Sequence, residues 1–548
     1  MTQVEDICRY LSSDTVFNKI NKRFISMPSD DIKRNNELLK PIKIKKSGPA
    51  FTLVIPLSER TINIDVVPVL AFSPHITMPP RYMEMSKITD INSKNMNLYK
   101  YDYFERNLTP FMSQLKAQGT STDYMINIFV TKTFPNHHTM ATGFYAETHG
   151  VVDNEFFDSS KNNTTKYSYE LYHYNNNILP IWTVNEKNGR HSGTMMWPGS
   201  VFAYQGTSPT FAQAFNDTIP WEKRIDELLS WFVHPTNPIN LGILYIEDPD
   251  YHGHAIGINS PEFNEILQKL DNITKYMHNK IDYYDLTDAL NVIHLSDHGM
   301  ASVTMERIIN LTNYINVTDY TFVGTSPGLH IFPHPGKEEI IYQNLKFAAD
   351  QTKTFKVYRR EDIPKKYHYG NNTRVGPIFV IAEVGYAFQN LYDAIEFYKQ
   401  KFNITVDNRT EFGLHGYDNE AKEMHPFFFA NGPAFMPKCK LEPFNNTDLF
   451  PLFCEILNLK CPMVNGTLSH ITKCLRTQSK DVSISTYKMF IAVIITTTLI
   501  GISVVATIIY RKKRRLVYNY RHHTLAGMFN QYPKISTACP HCMGRARY

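Results

Sequence analysis

The last 38 residues of the chain, Arg511 to Tyr548, contain no Asp or Glu but nine Lys or Arg. The net charge of +5 is therefore a property of this tail, and the residues before it sum to −4. That balance excludes a general nucleic-acid-binding surface, and no nucleic-acid polymer is expected as a partner. Cysteine is also scarce and uneven. Of seven in 548 residues, four (Cys439, Cys454, Cys461 and Cys474) fall close together. In an oxidising compartment they read as two disulfides with the pairing open. Cys539 and Cys542, in "CPHC", offer with His541 at most three ligands. A stable zinc site wants four, so a solvated or lipidated tail is the simpler reading. Internal repeats and low-complexity stretches are missing. "MTQVEDICRYLSSDTVFNKINKRF" at the start lacks the apolar core, basic flank and small-residue cleavage site of a secretory signal.

Hydrophobic residues make up 43% and aromatics 13%, enough for a sizeable core. One long run is free of charge, "MFIAVIITTTLIGISVVATIIY", Met489 to Tyr510. At about 1.5 Å per residue a helix of this length crosses the hydrocarbon layer. "RKKRR", Arg511 to Arg515, follows at once and puts the C-terminus in the cytosol. Twelve Asn-x-Ser/Thr sequons, from Asn107 to Asn465, all precede the run. The expectation is a single-pass type I protein of the plasma membrane with its folded domain outside. Its basic tail would rest on anionic inner-leaflet lipid.

Residues 1–90 mix basic runs, scattered prolines and short apolar stretches, and are left unassigned as an atypical N-terminal region. A folded domain is expected over 91–475, a juxtamembrane linker over 476–488, the span over 489–510 and the tail over 511–548. Within the domain, "LGILYIEDPD" and "NVIHLSDHGM" each begin as a short apolar strand and end in a polar loop. "PEFNEILQKLDNITKYMHNKI" between them has helical periodicity. That strand–helix–strand unit predicts an α/β fold with its chemistry at the carboxyl ends of strands.

"TKTFPNHHTMATGFYAETHGVVDN", Thr131 to Asn154, predicts a short helix with Pro135 in its first turn and Gly143 as its stop. Thr133 then sits at or beside the N-cap, near unpaired N–H groups and the positive end of the helix dipole. It either caps the helix or attacks an anion held there. His137 and His138, about 100° apart on that helix, cannot readily share a metal and read as packing or surface residues. "DPDYHGHAIG" spaces Asp250 and His254 four apart around Gly253. "SDHG" supplies Asp297 and His298, and "GLHGYDN" sets His415 between two glycines. Two aspartates and three histidines on loops form a nitrogen and oxygen donor set suited to Zn²⁺.

These blocks resemble the signature motifs of the ectonucleotide pyrophosphatase/phosphodiesterase family, in the alkaline phosphatase superfamily. The short form with one catalytic domain and a C-terminal span is the closest pattern, and the match covers roughly Tyr99 to Cys474. The resemblance implies a mostly parallel central sheet flanked by helices, and two zinc ions. Asp250, His254 and His415 would hold one ion; Asp297, His298 and the Thr133 hydroxyl would hold the other. Thr133 would be the nucleophile of a nucleotidyl-threonine intermediate. The Phe134 N–H and the Asn154 amide would steady a phosphoryl oxygen. Phe134, Phe215, Tyr245 and Trp197 would surround the base of an extracellular nucleotide or dinucleoside polyphosphate. A nucleoside 5′-monophosphate would be released.

The chain departs from the pattern in places. Phe215 stands where many relatives have tyrosine, and Val201 follows "WPGS" where Asp is usual. At the start, Asn97 and Leu98 fall on a metal-binding Asp and its glycine, with Asp102 and Tyr103 on the last two positions of that motif. A weaker second zinc site follows, and residues 1–98 are expected to be an alternative or misassembled start. Two other functions are open: a nucleotide- or partner-binding surface protein with an incomplete metal site, and a choline-phosphodiester or lysophospholipid hydrolase.

Overall fold

Leu241–Glu247 is buried at every position. An apolar run without alternation belongs to a strand covered on both faces. The computed structural model, which describes residues 43–47, 50–54, 66–72, 102–476 and 495–517, places this strand inside an eight-stranded sheet. In chain order the strands are β1 (Val66–Phe72), β2 (Thr120–Thr122), β3 (Ser192–Met195) and β4 (Phe211–Gln213). They continue as β5 (Leu241–Glu247), β6 (Asn291–Leu295), β7 (Phe428–Asn431) and β8 (Cys439–Leu441). Side by side they run β8-β2-β7-β6-β1-β5-β3-β4. Six strands point one way, and only β1 and β7 oppose them. Six of the eight strands thus share one direction, as the α/β reading expects, although β1 and β7 make four of the seven neighbour pairings antiparallel.

Six helices matter for the site: α1 (Pro110–Gln118), α2 (Thr133–Thr142), α3 (Trp221–Phe232), α4 (Asp250–Ile256), α5 (Pro261–Tyr283) and α6 (Leu391–Phe402). On α5, Phe263, Leu267, Leu270, Ile273, Met277 and Ile281 recur at helical spacing and are buried. Its start is fixed by Ser260, whose hydroxyl accepts the Phe263 N–H at 3.1 Å, and by Pro261, which has no N–H to satisfy. Ile273 and Met277 share a core with Leu228 and Phe232 of α3 and Leu244 of β5. Ile243, next along β5, joins a second core with Met140 of α2 and Trp182. Successive residues of a strand face opposite sides, so β5 serves both cores. Each fully buried aliphatic chain contributes roughly 1.5–3 kcal/mol, which holds helices to both faces and fixes the loops at the strand ends.

A smaller antiparallel sheet, Tyr320–Val323, Gly328–Pro333, Ile378–Ala382 and Phe355–Arg359, has its own core with Ile341 and Leu345. Its Val323-to-Gly328 turn reaches the start of α2, where Thr325 O accepts from Lys132 Nζ at 2.6 Å.

Three expectations change. β1 lies upstream of the boundary placed at residue 91, because Val66–Phe72 fills the position between β5 and β6 despite Pro68. The prolines that make this segment look irregular in sequence do not prevent one strand from forming. The C-terminal helix, α7, spans Ile495–Val517 and runs through the basic cluster, with none of its apolar window buried against the rest of the protein. Lys and Arg are good helix formers, so charge ends the apolar stretch without ending the helix. Met489 to Ile494, the start of the expected run, lie outside the described residues, as do Asn97 and Leu98. His137 and His138 are both fully buried, so the packing reading holds and the surface one does not.

Of the clustered cysteines, Cys439 and Cys474 are bridged. The thiols of Cys454 and Cys461 interact directly, which leaves one pairing for the second disulfide. Peptide mapping of non-reduced protein from an oxidising compartment should recover Cys439–Cys474 and Cys454–Cys461, and no mixed pair.

Between α5 and β6, His278 Nε2 and His294 Nε2 approach to 3.0 Å. Burial lowers both pKa values, that of His278 to about 4. Burial likewise lowers His138 to about 3, and His149 well below its usual range. An unfolded chain binds protons at these sites from about pH 6.5 downward while the folded one resists, so stability falls as pH falls through that window. Denaturant midpoints should drop between pH 7.5 and 5, and replacing His278 and His294 together by Leu should flatten part of that slope.

Candidate active site

Thr133 is the first residue of α2, with Lys132 at the N-cap in extended conformation. The helix stops at Gly143 (φ 75°), whose N–H reaches Thr139 O at 2.7 Å. Start and stop fall where the sequence puts them. The Lys132 side chain makes no capping bond, and Thr133 Oγ1 lies 3.5 Å from His298 Nε2. The hydroxyl is therefore turned toward the metal-type residues.

Three imidazoles are held in one tautomer. His254 Nδ1 donates to Gly413 O at 2.8 Å, His415 Nδ1 to Thr131 O at 2.9 Å, and His298 Nδ1 to Gly299 O at 2.9 Å. Each bond leaves Nε2 as the free ring nitrogen, the arrangement that orients metal-ligating histidines. Close backbone contact makes the first bond possible: a Cβ on Gly413 would sit 2.5 Å from Gly253 O. Gly416 (φ 114°) turns the chain after His415, where a Cβ would press on Pro327 and Lys132.

The Nε2 atoms of His254 and His415 are 3.1 Å apart. Asp250 faces them, with Oδ2 3.4 Å from His254 and Oδ1 3.5 Å from His415. These three form one metal-type group among the described residues. Asp250 Oδ1 and Asp297 Oδ2 are buried and have no hydrogen-bond partner. Asp297 Oδ2 lies 3.1 Å from His298 Nε2. Carboxylate oxygens set against ring nitrogens call for positive charge between them, so the Asp250, His254 and His415 group fits a divalent cation. The field shows in the titration: burial opposes the His298 cation, but Asp297 outweighs it and raises the pKa to about 9. His415 is instead pushed down to about 3 by burial and by His298. The rings of His298 and His415 stack at 3.5 Å, which places the two groups side by side.

Asn154 reaches the other side of Thr133. Its Oδ1 accepts the Phe134 N–H at 2.9 Å. The two expected oxyanion donors are thus bonded to each other, and the amide Nδ2 is the donor that remains for a phosphoryl oxygen. Residues given no role at the site in the sequence organise this corner. Lys132 Nζ is buried and bonds Asp153 Oδ2 at 2.7 Å and Thr325 O at 2.6 Å. Asp153 Oδ1 in turn accepts the Asn154 N–H at 2.6 Å. His137 Nδ1 bonds Thr133 O at 2.8 Å and lies 3.3 Å from Asp297 Oδ2.

The expected base-binding aromatics divide. Trp197 and Tyr245 are 2% and 4% exposed and enclose the His137 ring at 4.6 and 5.2 Å. Phe215 is 45% exposed, with Tyr245 6.3 Å behind it. Phe134 is partly buried, 5.5 Å from Tyr167. Phe134, Phe215 and Tyr167 therefore present ring surface, and Trp197 and Tyr245 support it. Tyr167 carried no signal in the sequence beyond being aromatic.

Comparison with known proteins shows the family. Residues 99–418 match the type I phosphodiesterase/nucleotide pyrophosphatase family model. Human ectonucleotide pyrophosphatase/phosphodiesterase family member 5 is 35% identical over 386 residues, 69% of this chain and 76% of that protein. The bis(5′-adenosyl)-triphosphatase enpp4 of Xenopus laevis is 34% identical over 385 residues, 69% of this chain and 79% of that protein. A solved structure of an inactive threonine-to-alanine variant of murine ectonucleotide pyrophosphatase/phosphodiesterase 5, in complex with AMP, superposes with a TM-score of 0.62 at 33% identity. That match covers 69% of this chain and 97% of the other. The chain belongs to the ectonucleotide pyrophosphatase/phosphodiesterase family of the alkaline phosphatase superfamily, and is a hydrolase acting on nucleotide phosphodiester bonds.

Proposed function

We propose that this protein is a zinc-dependent ectoenzyme that cleaves dinucleoside polyphosphates and related nucleotides through a nucleotidyl-threonine intermediate, releasing a nucleoside 5′-monophosphate. The observation that carries the reading is the Thr133 hydroxyl, at the start of α2 and 3.5 Å from His298 Nε2. Asp250, His254 and His415 would hold one zinc, and Asp297, His298 and Thr133 the other. Bound zinc would lower the pKa of a coordinated hydroxyl or water and offset phosphoryl charge. Thr133 Oγ1 would bond to phosphorus while the bond to the leaving oxygen breaks, and water would then cleave the threonyl ester. Asn154 Nδ2 would donate to a non-bridging oxygen as charge builds. The nucleotide activity in the name of the Xenopus relative and the AMP bound to the murine one support a nucleotide in preference to a choline ester.

An outward-facing domain fits the same picture. Asn is exposed at eleven of the twelve sequons and half-buried at Asn445. The apolar helix α7 is compatible with a single anchor.

Two outcomes are expected. Metal analysis of the purified full chain should find close to two zinc per molecule, falling by about one in His254→Ala. Thr133→Ala should keep its zinc at the Asp250 group and lose roughly 10³-fold or more in kcat on diadenosine triphosphate. A folded protein without zinc, or one indifferent to loss of the Thr133 hydroxyl, favours the binding-protein alternative. For substrate class, p-nitrophenyl thymidine monophosphate should be cleaved far faster than p-nitrophenyl phosphorylcholine. Phe215→Ala should raise KM on the first roughly tenfold, as loss of one base-stacking ring does.

A further inference from the structure

The reactive threonine opens into a cavity of about 380 Å³ that none of the base-binding aromatics lines. It is lined by Thr133, Asn154 and the Asp250, His254 and His415 group. Asn390, at the N-cap of α6, and Leu391, Ala394 and Phe397 of that helix line it too. The size falls at the lower end of small-molecule pockets, which run from roughly 300 to 1,000 Å³.

Two features of that lining point to a ligand. Phe397 is 47% exposed while lining a cavity, an arrangement that leaves a ring face available for stacking. Asn390 Oδ1 is buried without a hydrogen-bond partner, although its Nδ2 is fixed by Gly324 O at 3.3 Å. A buried acceptor of this kind costs stability until a donor reaches it.

In-line displacement sets the direction. The leaving oxygen departs opposite the attacking one, and Thr133 Oγ1 lies on the His298 side of the site. A departing group therefore passes the Asp250, His254 and His415 side, where the cavity continues to α6. The geometry points to α6 as the leaving-group subsite: Phe397 stacks the second nucleobase of a dinucleoside polyphosphate, and Asn390 Oδ1 accepts a hydrogen bond from that nucleoside. This inference rests on the nucleotide-hydrolase reading above. In the step itself Thr133 Oγ1 bonds to the α-phosphorus, the hydroxyl proton passes to solvent, and the phosphorus–oxygen bond to ADP breaks with its electron pair on ADP.

Diadenosine triphosphate and ATP test it, because both yield AMP and only the first carries a second nucleoside. With the full chain in detergent, Phe397→Ala and Asn390→Ala should each lower kcat/KM on diadenosine triphosphate about five- to tenfold. Turnover of ATP should stay within twofold, Phe397→Trp should restore the dinucleotide rate, and the melting temperature should not move. Equal losses on both substrates, or no loss on either, overturn the subsite. Absence of Thr133-dependent turnover on both substrates in the unaltered protein overturns the hydrolase reading itself, and the subsite with it.

Discussion

Three hydrogen bonds from imidazole Nδ1 to backbone carbonyls are the constraint on which the site depends. Gly413, Thr131 and Gly299 supply the carbonyls to His254, His415 and His298. A free imidazole has two tautomers and can rotate; these three can do neither without breaking a bond. With Nδ1 tied, every Nε2 faces an aspartate oxygen or a neighbouring Nε2, and the surrounding chain becomes a mould for positive charge. The sheet makes this possible by bringing the loop after β5, the loop after β6 and the turn before Tyr417 to one place.

A second constraint joins the two sides of the candidate site. The ion pair of Lys132 with Asp153 is buried on both partners, at 1% exposure each. Lys132 precedes Thr133 and Asp153 precedes Asn154, so one contact ties the position of the Thr133 hydroxyl to that of the Asn154 amide. Thr325 O adds a third anchor from the smaller sheet. Burying a charge is costly unless it is paired and bonded, and here the ammonium meets a carboxylate and a carbonyl. The cost of breaking such a pair makes this corner stiff, which a near-attack geometry requires.

Much of this could be read from the chain. Helix α2 was bounded by Pro135 and Gly143 because both residues act through local backbone chemistry. The metal-type residues stood out because strand, polar loop and glycine follow one another within a few positions. What stayed hidden depends on contacts distant in sequence or on an ordinary-looking residue. Lys132 and Asp153 are 21 residues apart, and nothing in either neighbourhood marks them as partners. His137 reads as a packing residue, and it is one, yet its Nδ1 also ties Thr133 O beside Asp297. Trp197 and Tyr245 carry the aromatic pattern of a binding surface but lie beneath it. β1 was missed because prolines mark irregular structure, and the space between β5 and β6 overrode that local signal.

The central claim is that a side-chain oxygen on α2 carries the nucleotide between the two chemical steps. Rapid acid quenching of the enzyme turning over diadenosine triphosphate, followed by peptide mass mapping, tests it most directly. The account predicts an adenylyl group on the peptide holding Thr133, assigned to that residue and absent from the alanine variant. An adduct on another residue, or steady turnover with no adduct under conditions that preserve a phosphothreonyl ester, would contradict it.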